Sequence, residues 1–395
     1  ILPLTRPRIS TITSETGAIT TVTLSAPECV RSQVINAPED TTTRNCYPQY
    51  WHINGALESS VDWFHKYRVL DVLVYDPAGQ NEPLEYTYDY SGAAWHHNNE
   101  PLTPSDERTW SDWRGYRQVT VYSGSVVAER SRTVSLYLQG MNGDKKKDGT
   151  TRSVSFAPLA SPALSVASIT DSDAYAGQLR EQVTYDGATA ISASVYDPWS
   201  HETARQSVSG APDLVARFTG TARTTTYTYR TVPQTWRSRS VATTFDSYGM
   251  PVTVDDSGDN ATTGDETCAR TWYARNDTLG LTDLVSRTRS VGRSCATTEA
   301  SLNLPTGSAS RGDVLSDTAV VYDNAQATAW TANQTPTKGH ATWTGRAAGY
   351  PAHPDSSGER PPPGWQTAST MGYDILGRLT STADAAGHTT AATYT

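Results

Sequence analysis

Short runs of alternating apolar and polar residues recur through almost the whole sequence, and this pattern constrains the fold most. Val134, Leu136 and Leu138 occupy every second position, so they would share one face of a half-buried strand. The same spacing aligns Tyr86, Tyr88 and Tyr90, as well as Tyr227 and Tyr229, and comparable runs cover residues 19–24, 68–75, 117–122, 179–185, 240–245 and 318–322. No long run follows the helical period. The sequence therefore predicts an all-β fold.

Residue pairs that tolerate a positive φ separate these runs. They are Asn54-Gly55, Asn142-Gly143, Asp148-Gly149, Asp186-Gly187 and Ser257-Gly258. Parallel strands would need crossover connections of about a dozen residues, usually helical, and no matching amphipathic run is present. We therefore expect a long antiparallel sheet of successive hairpins. Residues 299–311 and 335–364 lack strand patterning, and we expect them to be loop excursions.

The aromatic composition favours a sheet that has one face exposed to water. The chain of 395 residues has 21 Tyr and 11 Trp but only 4 Phe and 3 Met, so most large side chains carry a polar atom. The net charge is -9, and the basic residues are scattered, which disfavours nucleic-acid binding. No apolar run approaches the ~18 residues of a membrane span. No cofactor-binding motif is present either, so we expect no cofactor.

Four cysteines allow three disulfide pairings. Their spacing favours Cys29–Cys46 and Cys268–Cys295, because each pair brackets a loop-rich stretch whose closure would stabilise the fold by about 3 kcal/mol. The alternative is four buried free thiols. Zinc is disfavoured, since neither a CxxC pair nor a pair of histidines at zinc-ligand spacing accompanies the cysteines.

A repeat unit is visible near the C-terminal end. It consists of Tyr373, Asp374, Gly377, Arg378, Leu379 and Thr380, followed by Gly387 and then by Tyr394 at the start of a further unit; a weaker copy has Phe245, Asp246 and Gly249. In such a unit the aromatic residue would anchor a strand end, Asp would bind turn amides and Gly would adopt a positive φ. Leu and Thr would begin the return strand, and Arg would pair with a neighbouring carboxylate. The unit thus predicts a hairpin.

The pattern Tyr-Asp-x-x-Gly-Arg-Leu-Thr resembles the YD repeat of bacterial Rhs proteins. Stretches such as 62–67, 110–116 and 264–268 are also similar to those of secreted Rhs-type proteins, so the resemblance covers residues 1–395 as one continuous segment. Residues 1–244 would hold diverged repeats and residues 245–395 more recognisable ones. We interpret the chain as a piece of a longer protein.

This resemblance implies a sheet that spirals into a hollow shell, as in the cocoon of Tc toxins and the teneurin barrel. Such a shell encloses a C-terminal polypeptide, often a toxin, so the implied partners are the rest of the shell and that segment. The implied location is extracellular. The self-cleavage motif of the family is absent: Asp76-Pro77-Ala78-Gly79 fits its first four positions, but Gln80 follows. We therefore expect no autoproteolysis.

Two polar clusters could suggest metal binding. Asp255, Asp256, Asp259, Asp265 and Glu266 are dense enough for calcium, but their spacing does not match an EF-hand, so we interpret them as a solvated turn. His96, His97 and Glu100 precede or flank Asn and Pro residues, which favours an exposed turn. We predict no metal site.

The expected role is structural, with no catalytic residue. Trp51, Trp63, Trp95, Trp110 and Trp113 could stack on sugars in a glycan-binding or adhesive module, but tryptophans are more often core residues. A carbohydrate-active enzyme is a third alternative. It would need two carboxylates about 5–10 Å apart in a cleft.

Overall fold

The computed structural model describes residues 7–79, 82–125, 130–159, 164, 166–209, 212–307, 310–352 and 360–395. Within these ranges the protein consists of β-strands, one short helix α1 (Arg31–Val34) and the 3-10 segments Glu39–Thr41, Ile53–Gly55, Asp173–Tyr175, Asp277–Leu279 and Glu299–Ser301. Among the described residues, no helix is long and apolar enough to cross a membrane. The chain divides into two compact units, one of Ile1–Thr221 with Thr225–Trp236 and one of Ala222–Thr224 with Arg237–Thr395.

The strands of the first unit are β1 (Thr11–Thr13), β2 (Ile19–Leu24), β3 (Cys46–Trp51), β4 (Ser60–His65), β5 (Val69–Tyr75), β6 (Leu84–His96), β7 (Asp112–Ser123), β8 (Ser131–Tyr137), β9 (Ser155–Phe156), β10 (Ile169–Thr170), β11 (Leu179–Asp186) and β12 (Thr189–Gln206). They form the antiparallel order β1-β2-β5-β6-β7-β8-β11-β12, and β3–β4 and β9–β10 make two separate hairpins. Neighbours in the sheet are thus neighbours in sequence, apart from these inserted hairpins.

Strands β13 (Leu214–Arg230) and β14 (Thr235–Phe245) contribute residues to both units. The second unit continues with β15 (Pro251–Asp256), β16 (Thr267–Asn276), β17 (Leu281–Val291), β18 (Val314–Tyr322), β19 (Ala341–Gly349), β20 (Gly364–Tyr373), β21 (Leu379–Asp384) and β22 (Thr389–Ala391). From β14 to β22, each strand pairs antiparallel with the next one in the chain. The predicted all-β antiparallel class is confirmed.

Local sequence chemistry explains these hairpins. Strand β2 covers the predicted residues 19–24, and its Ile and Thr side chains favour extended backbone. At the predicted turns, Gly55, Gly143, Gly149, Gly187 and Gly258 have φ of 76°, 90°, 85°, 55° and 60°. Residues with a Cβ rarely adopt such angles, so each glycine fits the turn in which it lies.

Hydrophobic burial is local rather than central. Loops fold back over the sheets and bury small clusters, which in the first unit are Cys29, Val34 and Cys46; Leu136, Leu138 and Phe156; and Leu164, Val183 and Ala193. In the second unit they are Cys268, Val291, Leu302, Leu304 and Tyr350; and Ala319, Val321, Trp330 and Trp343. Most strand residues outside these clusters are only half-buried.

The prediction that residues 335–364 form a loop excursion is wrong in part, because β19 lies inside this range. The Trp343 side chain is fully buried, and its ring covers Gly345 so closely that a Cβ there would lie 2.1 Å from the Trp343 ring. Because Gly345 takes the place of an apolar side chain next to the Trp343 ring, the strand lacks the alternation of apolar and polar residues by which strands are recognised in sequence. Residues 353–359 lie outside the described residues.

Candidate functional site

The turn that begins at Asp374 combines a side-chain cap with a glycine in the left-handed conformation. Asp374 Oδ1 accepts hydrogen bonds from the N–H groups of Leu376 and Arg378, both at 2.9 Å. The N–H of Gly377, at φ 79°, donates to the carbonyl of Asp374 at 3.0 Å, and the N–H of Asp374 donates to the carbonyl of Arg378 at 3.0 Å. One aspartate therefore fixes a five-residue turn between β20 and β21.

Two other turns repeat this geometry. Asp246 Oδ1 accepts from the N–H groups of Tyr248 and Met250 at 2.9 and 3.0 Å, and Gly249 has φ 75°. In the next turn along from Asp374, Asp384 Oδ1 accepts from the N–H groups of Ala386 and His388, both at 2.9 Å, and Gly387 has φ 85°. The weaker copy at Phe245-Asp246 thus has the same turn as the clear one.

The second carboxylate oxygen of each aspartate has a cationic or imidazole partner. Asp374 Oδ2 accepts from Arg378 Nε at 2.7 Å, and Asp384 Oδ2 contacts His388 Nδ1 at 3.1 Å. The N–H and guanidinium of Arg378 lower the pKa of Asp374. For Asp246, burial would raise the pKa, but an ion pair with Arg275 and two backbone N–H groups lower it below its usual value. These carboxylates are structural anions.

A fourth turn, which begins at Asp323, has the same closing backbone hydrogen bond but contains a long inserted loop. The N–H of Asp323 donates to the carbonyl of His340 at 2.8 Å, as Asp374 does to Arg378. Asp323 Oδ2 accepts from the N–H groups of Thr337, Lys338 and Gly339 at 2.7, 2.8 and 3.0 Å, and Oδ1 accepts from that of His340 at 2.9 Å. One carboxylate therefore fixes the C-terminal end of the loop.

Where the aromatic residue of a unit is a tyrosine, its hydroxyl can join it to a neighbouring strand, as Phe245 cannot. Tyr373 donates its hydroxyl to the carbonyl of Ala341 at 3.0 Å, and Tyr394 donates to that of Leu379 at 2.8 Å. Two further tyrosines do the same, Tyr273 to Pro251 at 2.8 Å and Tyr322 to Val285 at 2.9 Å. For Tyr273, Tyr322 and Tyr373 the acceptor lies on the preceding strand of the sheet, whereas Tyr394 follows β22 and bonds to Leu379 at the start of β21. Sequence reasoning assigned Tyr to a strand end but missed this bond.

The aromatic residue of the repeat unit also lies next to an irregularity in the pairing of two strands. The strand register shifts immediately before Tyr185, Phe245, Tyr273, Tyr322 and Tyr373. An extra residue at this point fits a turn that ends in a glycine of positive φ, since that combination makes a bulge next to a hairpin loop. The remaining motif residues lie beyond the turn, where Leu379 begins β21 and the carbonyl of Thr380 accepts from the N–H of Ala392 at 2.9 Å.

Both predicted disulfides are present, and each lies in a buried cluster. The Cys268–Cys295 bond links the start of β16 to the loop after β17. That loop is also held by Asp255, whose Oδ1 accepts from the N–H of Cys295 at 2.9 Å. Asp255 therefore fixes a loop and is not part of a solvated turn as predicted, because the loop after β17 returns over it. In the same acidic stretch, Asp256 pairs with Arg239 and Asp259 pairs with Arg237.

The predicted exposed turn at His96 and His97 is wrong. The two residues are only 6 and 7% exposed, since His96 ends β6 and contacts Asp144, and His97 packs edge-on against Trp110. Among the residues that the structure describes, no three His, Cys, Asp or Glu side chains converge as metal ligands. The tryptophans 95 and 110 are buried, and Trp51, Trp63 and Trp113 are half-buried.

A buried polar cluster was not predicted. Arg287 donates two hydrogen bonds to Asp317 at 2.9 and 2.6 Å, and the Tyr350 hydroxyl donates to Asp317 at 2.7 Å. The Arg287 guanidinium lies 4.5, 5.2 and 5.4 Å from the ring centroids of Trp272, Trp330 and Trp365. Burial and the adjacent Asp317 raise the pKa of Tyr350. No local motif signals this cluster, because its members are spread from Trp272 on β16 to Trp365 on β20.

Comparisons with known proteins show similarity in fold only. No family model and no curated protein matches the sequence. A crystal structure of TcdB2-TccC3-Cdc42 matches 93% of this chain with a TM-score of 0.56 at 12% identity, and one of TcdB2-TccC3-TEV matches 96% with a TM-score of 0.53 at 13% identity. The chain has the fold of part of these toxin structures. It spans about a fifth of their chains, 21 and 22%.

A third match is the Tc holotoxin pore of Photorhabdus luminescens with the mutation TccC3-D651A. It covers 84% of this chain and 20% of that chain, at 14% identity and a TM-score of 0.48.

Proposed function

We propose that this chain is non-enzymatic wall material of a secreted, bacterial Rhs-type shell that encloses a polypeptide. The observation that carries the proposal is the succession of antiparallel hairpins, four of whose turns are fixed by an aspartate, in a fold similar to part of TcdB2-TccC3. A sheet extended by one hairpin after another grows sideways, so it suits a barrier better than a compact binding module.

The surface area supports a thin wall. The chain has an accessible surface of 23079 Å². A single compact protein of this mass exposes roughly 15,000 Å², and two compact proteins of half the mass together expose roughly 18,000 Å². This excess, together with the many strand residues that are only half-buried, supports a wall that faces water or cargo.

The chemistry of the strands fits the same role. Polar-tipped aromatics such as Tyr273 and Tyr373 are half-buried and use their hydroxyls to join strands, so they tolerate a wet face. The two disulfides fit an oxidising compartment, which supports an extracellular location for the shell.

Protease protection of the whole gene product that contains this chain tests enclosure. We expect a polypeptide outside residues 1–395 to survive trypsin and to be digested once the shell is unfolded in urea. Digestion of every segment outside the shell at the rate of an unfolded peptide would exclude enclosure. Saturable binding on a glycan array that is lost in Trp63→Ala, together with absent protection, would indicate the adhesive alternative instead.

A further inference from the structure

A pocket of about 270 Å³ in the first unit has no role in the proposed wall. It lies where β6 ends, and its lining includes His97, Asn99, Arg108, Asn142 and Lys145. The rest of the lining consists of His96, Gly143, Asp173 and Pro212, so most of the lining side chains are polar. The polar side chains in the lining therefore determine which ligand it accepts.

The floor of the pocket is buried and fixed. The N–H of His97 donates to Asp144 Oδ1 at 3.0 Å, and His96 Nδ1 contacts the carbonyl of His97 at 2.7 Å. Asp144 has no exposed side-chain surface and also accepts from Arg152 Nε at 2.8 Å. Because Arg152 compensates the charge of Asp144, this carboxylate does not cancel the charge of Lys145 at the rim.

The lining presents hydrogen-bond donors. Asn99 Oδ1 contacts His97 Nδ1 at 3.1 Å, and Asn142 Oδ1 accepts from the N–H of Val154 at 3.0 Å. Because both amide oxygens already have hydrogen-bond partners, these two asparagines can bind a ligand through their NH₂ groups. Lys145 adds a cationic donor, and Arg108, whose Nε donates to the carbonyl of Thr103 at 3.0 Å, adds a second positive charge.

The charge of the lining is positive. Its one acidic residue within the described part of the chain, Asp173, already accepts from Arg114 Nη1 at 2.6 Å. Lys145 forms no ion pair with any residue that the structure describes, and its charge acts on the buried His97. A ligand with acceptor oxygens and a single negative charge would satisfy both the donors and the charge.

We infer that this pocket binds a carboxylate group of a small ligand or of a polypeptide side chain. The two sources share one chemistry, which is a planar pair of acceptor oxygens on a monoanion. The inference is independent of the enclosing wall, since a binding failure would leave the hairpin architecture and the protease protection unchanged.

Titration of the whole chain with glucuronate, N-acetylaspartate and neutral glucose tests the inference by calorimetry. We expect saturable binding of the carboxylates and none of glucose. Tighter binding of glucuronate assigns the site to acidic sugars, and tighter binding of N-acetylaspartate assigns it to polypeptide side chains. Lys145→Met should weaken binding at least about tenfold, as expected for loss of a charge-assisted hydrogen bond.

The matched control is Lys147→Met, which removes the same charge from an exposed neighbour that pairs with Glu39 outside the pocket. It should leave the affinity within about twofold. A second readout is the pKa of His97, which burial lowers in the free protein and which a bound anion should raise, as measured by NMR. No saturable carboxylate binding, or equal losses in both lysine variants, would overturn the inference.

Discussion

The His340 imidazole stacks on the ring of Tyr373, with centroids 4.6 Å apart. The same relationship recurs one unit later, where the Arg378 guanidinium lies 4.4 Å from the ring centroid of Tyr394. His340 and Arg378 both close an aspartate-capped turn, so the residue that closes one turn packs against the tyrosine of the next unit. A long loop inserted after Asp323 leaves this contact intact, which explains how units diverge in length and still join.

Gly377 and Gly387 allow a matched test of this packing. Both have positive φ, so replacement by alanine should cost about 1–2 kcal/mol in backbone strain alone. A Cβ at Gly377 would lie 2.8 Å from His340 Nε2, whereas nothing lies within 4 Å at Gly387. We expect Gly377→Ala to destabilise by about 1 kcal/mol more than Gly387→Ala in urea denaturation. Equal losses would contradict the contact.

Asp323 should make the second unit sensitive to acid. Burial would raise the pKa of Asp323, but the N–H groups of residues 337–340 outweigh it and lower the pKa below its unfolded value of about 3.9. A lowered folded pKa contributes stability that is complete above about pH 5 and is lost as the pH falls through about 4 and below.

Comparison of Asp323→Asn with the natural chain between pH 6 and 3 checks this sign. We expect the variant to be less stable by about 1–3 kcal/mol at pH 6, and the difference to shrink on acidification. A difference that stays constant with pH would show that charge on Asp323 is irrelevant to the loop.

The buried pair of Arg287 and Asp317 should be strongly coupled. Asp317→Asn leaves a buried guanidinium without its counter-charge, so we expect a loss of about 3–5 kcal/mol. Tyr350→Phe removes one hydrogen bond to a charged group and should cost about 1.5–3 kcal/mol. The double variant Arg287→Met with Asp317→Leu should lose less than the two single replacements together, measured as a double-mutant cycle. Strict additivity would argue against a direct pair.

The disulfides should stabilise different units. Replacing Cys268 and Cys295 by serine opens a loop of 27 residues and should destabilise the second unit by about 3–4 kcal/mol. The equivalent change at Cys29 and Cys46 is the control, since that bond lies in the first unit. Hydrogen exchange of amides in β16 and β17 should accelerate in the first variant alone. Acceleration in both would mean that the two loops are not independent.

The sequence predicted the hairpins well because their causes are local. The alternation at residues 19–24 and the glycine pairs at turns depend on neighbours within a few residues. The roles of Asp374 and Gly377 also followed from the order of residues in one turn. Arg378 was expected to pair with a neighbouring carboxylate, and its partner is the aspartate of its own turn.

The parts that sequence could not predict depend on residues far apart in the chain. Asp317 meets Arg287 because β17 pairs with β18, and Tyr350 reaches the same pair from the end of β19. His96 and His97 look exposed in a polar stretch, but the segment around Asp144 covers them. Strand β19 was missed because Trp343 packs over Gly345 of its own strand, which leaves no apolar alternation to detect.

Cryo-electron microscopy of the whole gene product would show whether these hairpins form an enclosing wall. We expect a wall of consecutive antiparallel strands, with Tyr373 bonded to β19 and Tyr394 to β21, and density for a separate polypeptide on the inner side. Separate sandwiches with their own filled interiors, or a wall without an enclosed polypeptide, would contradict it.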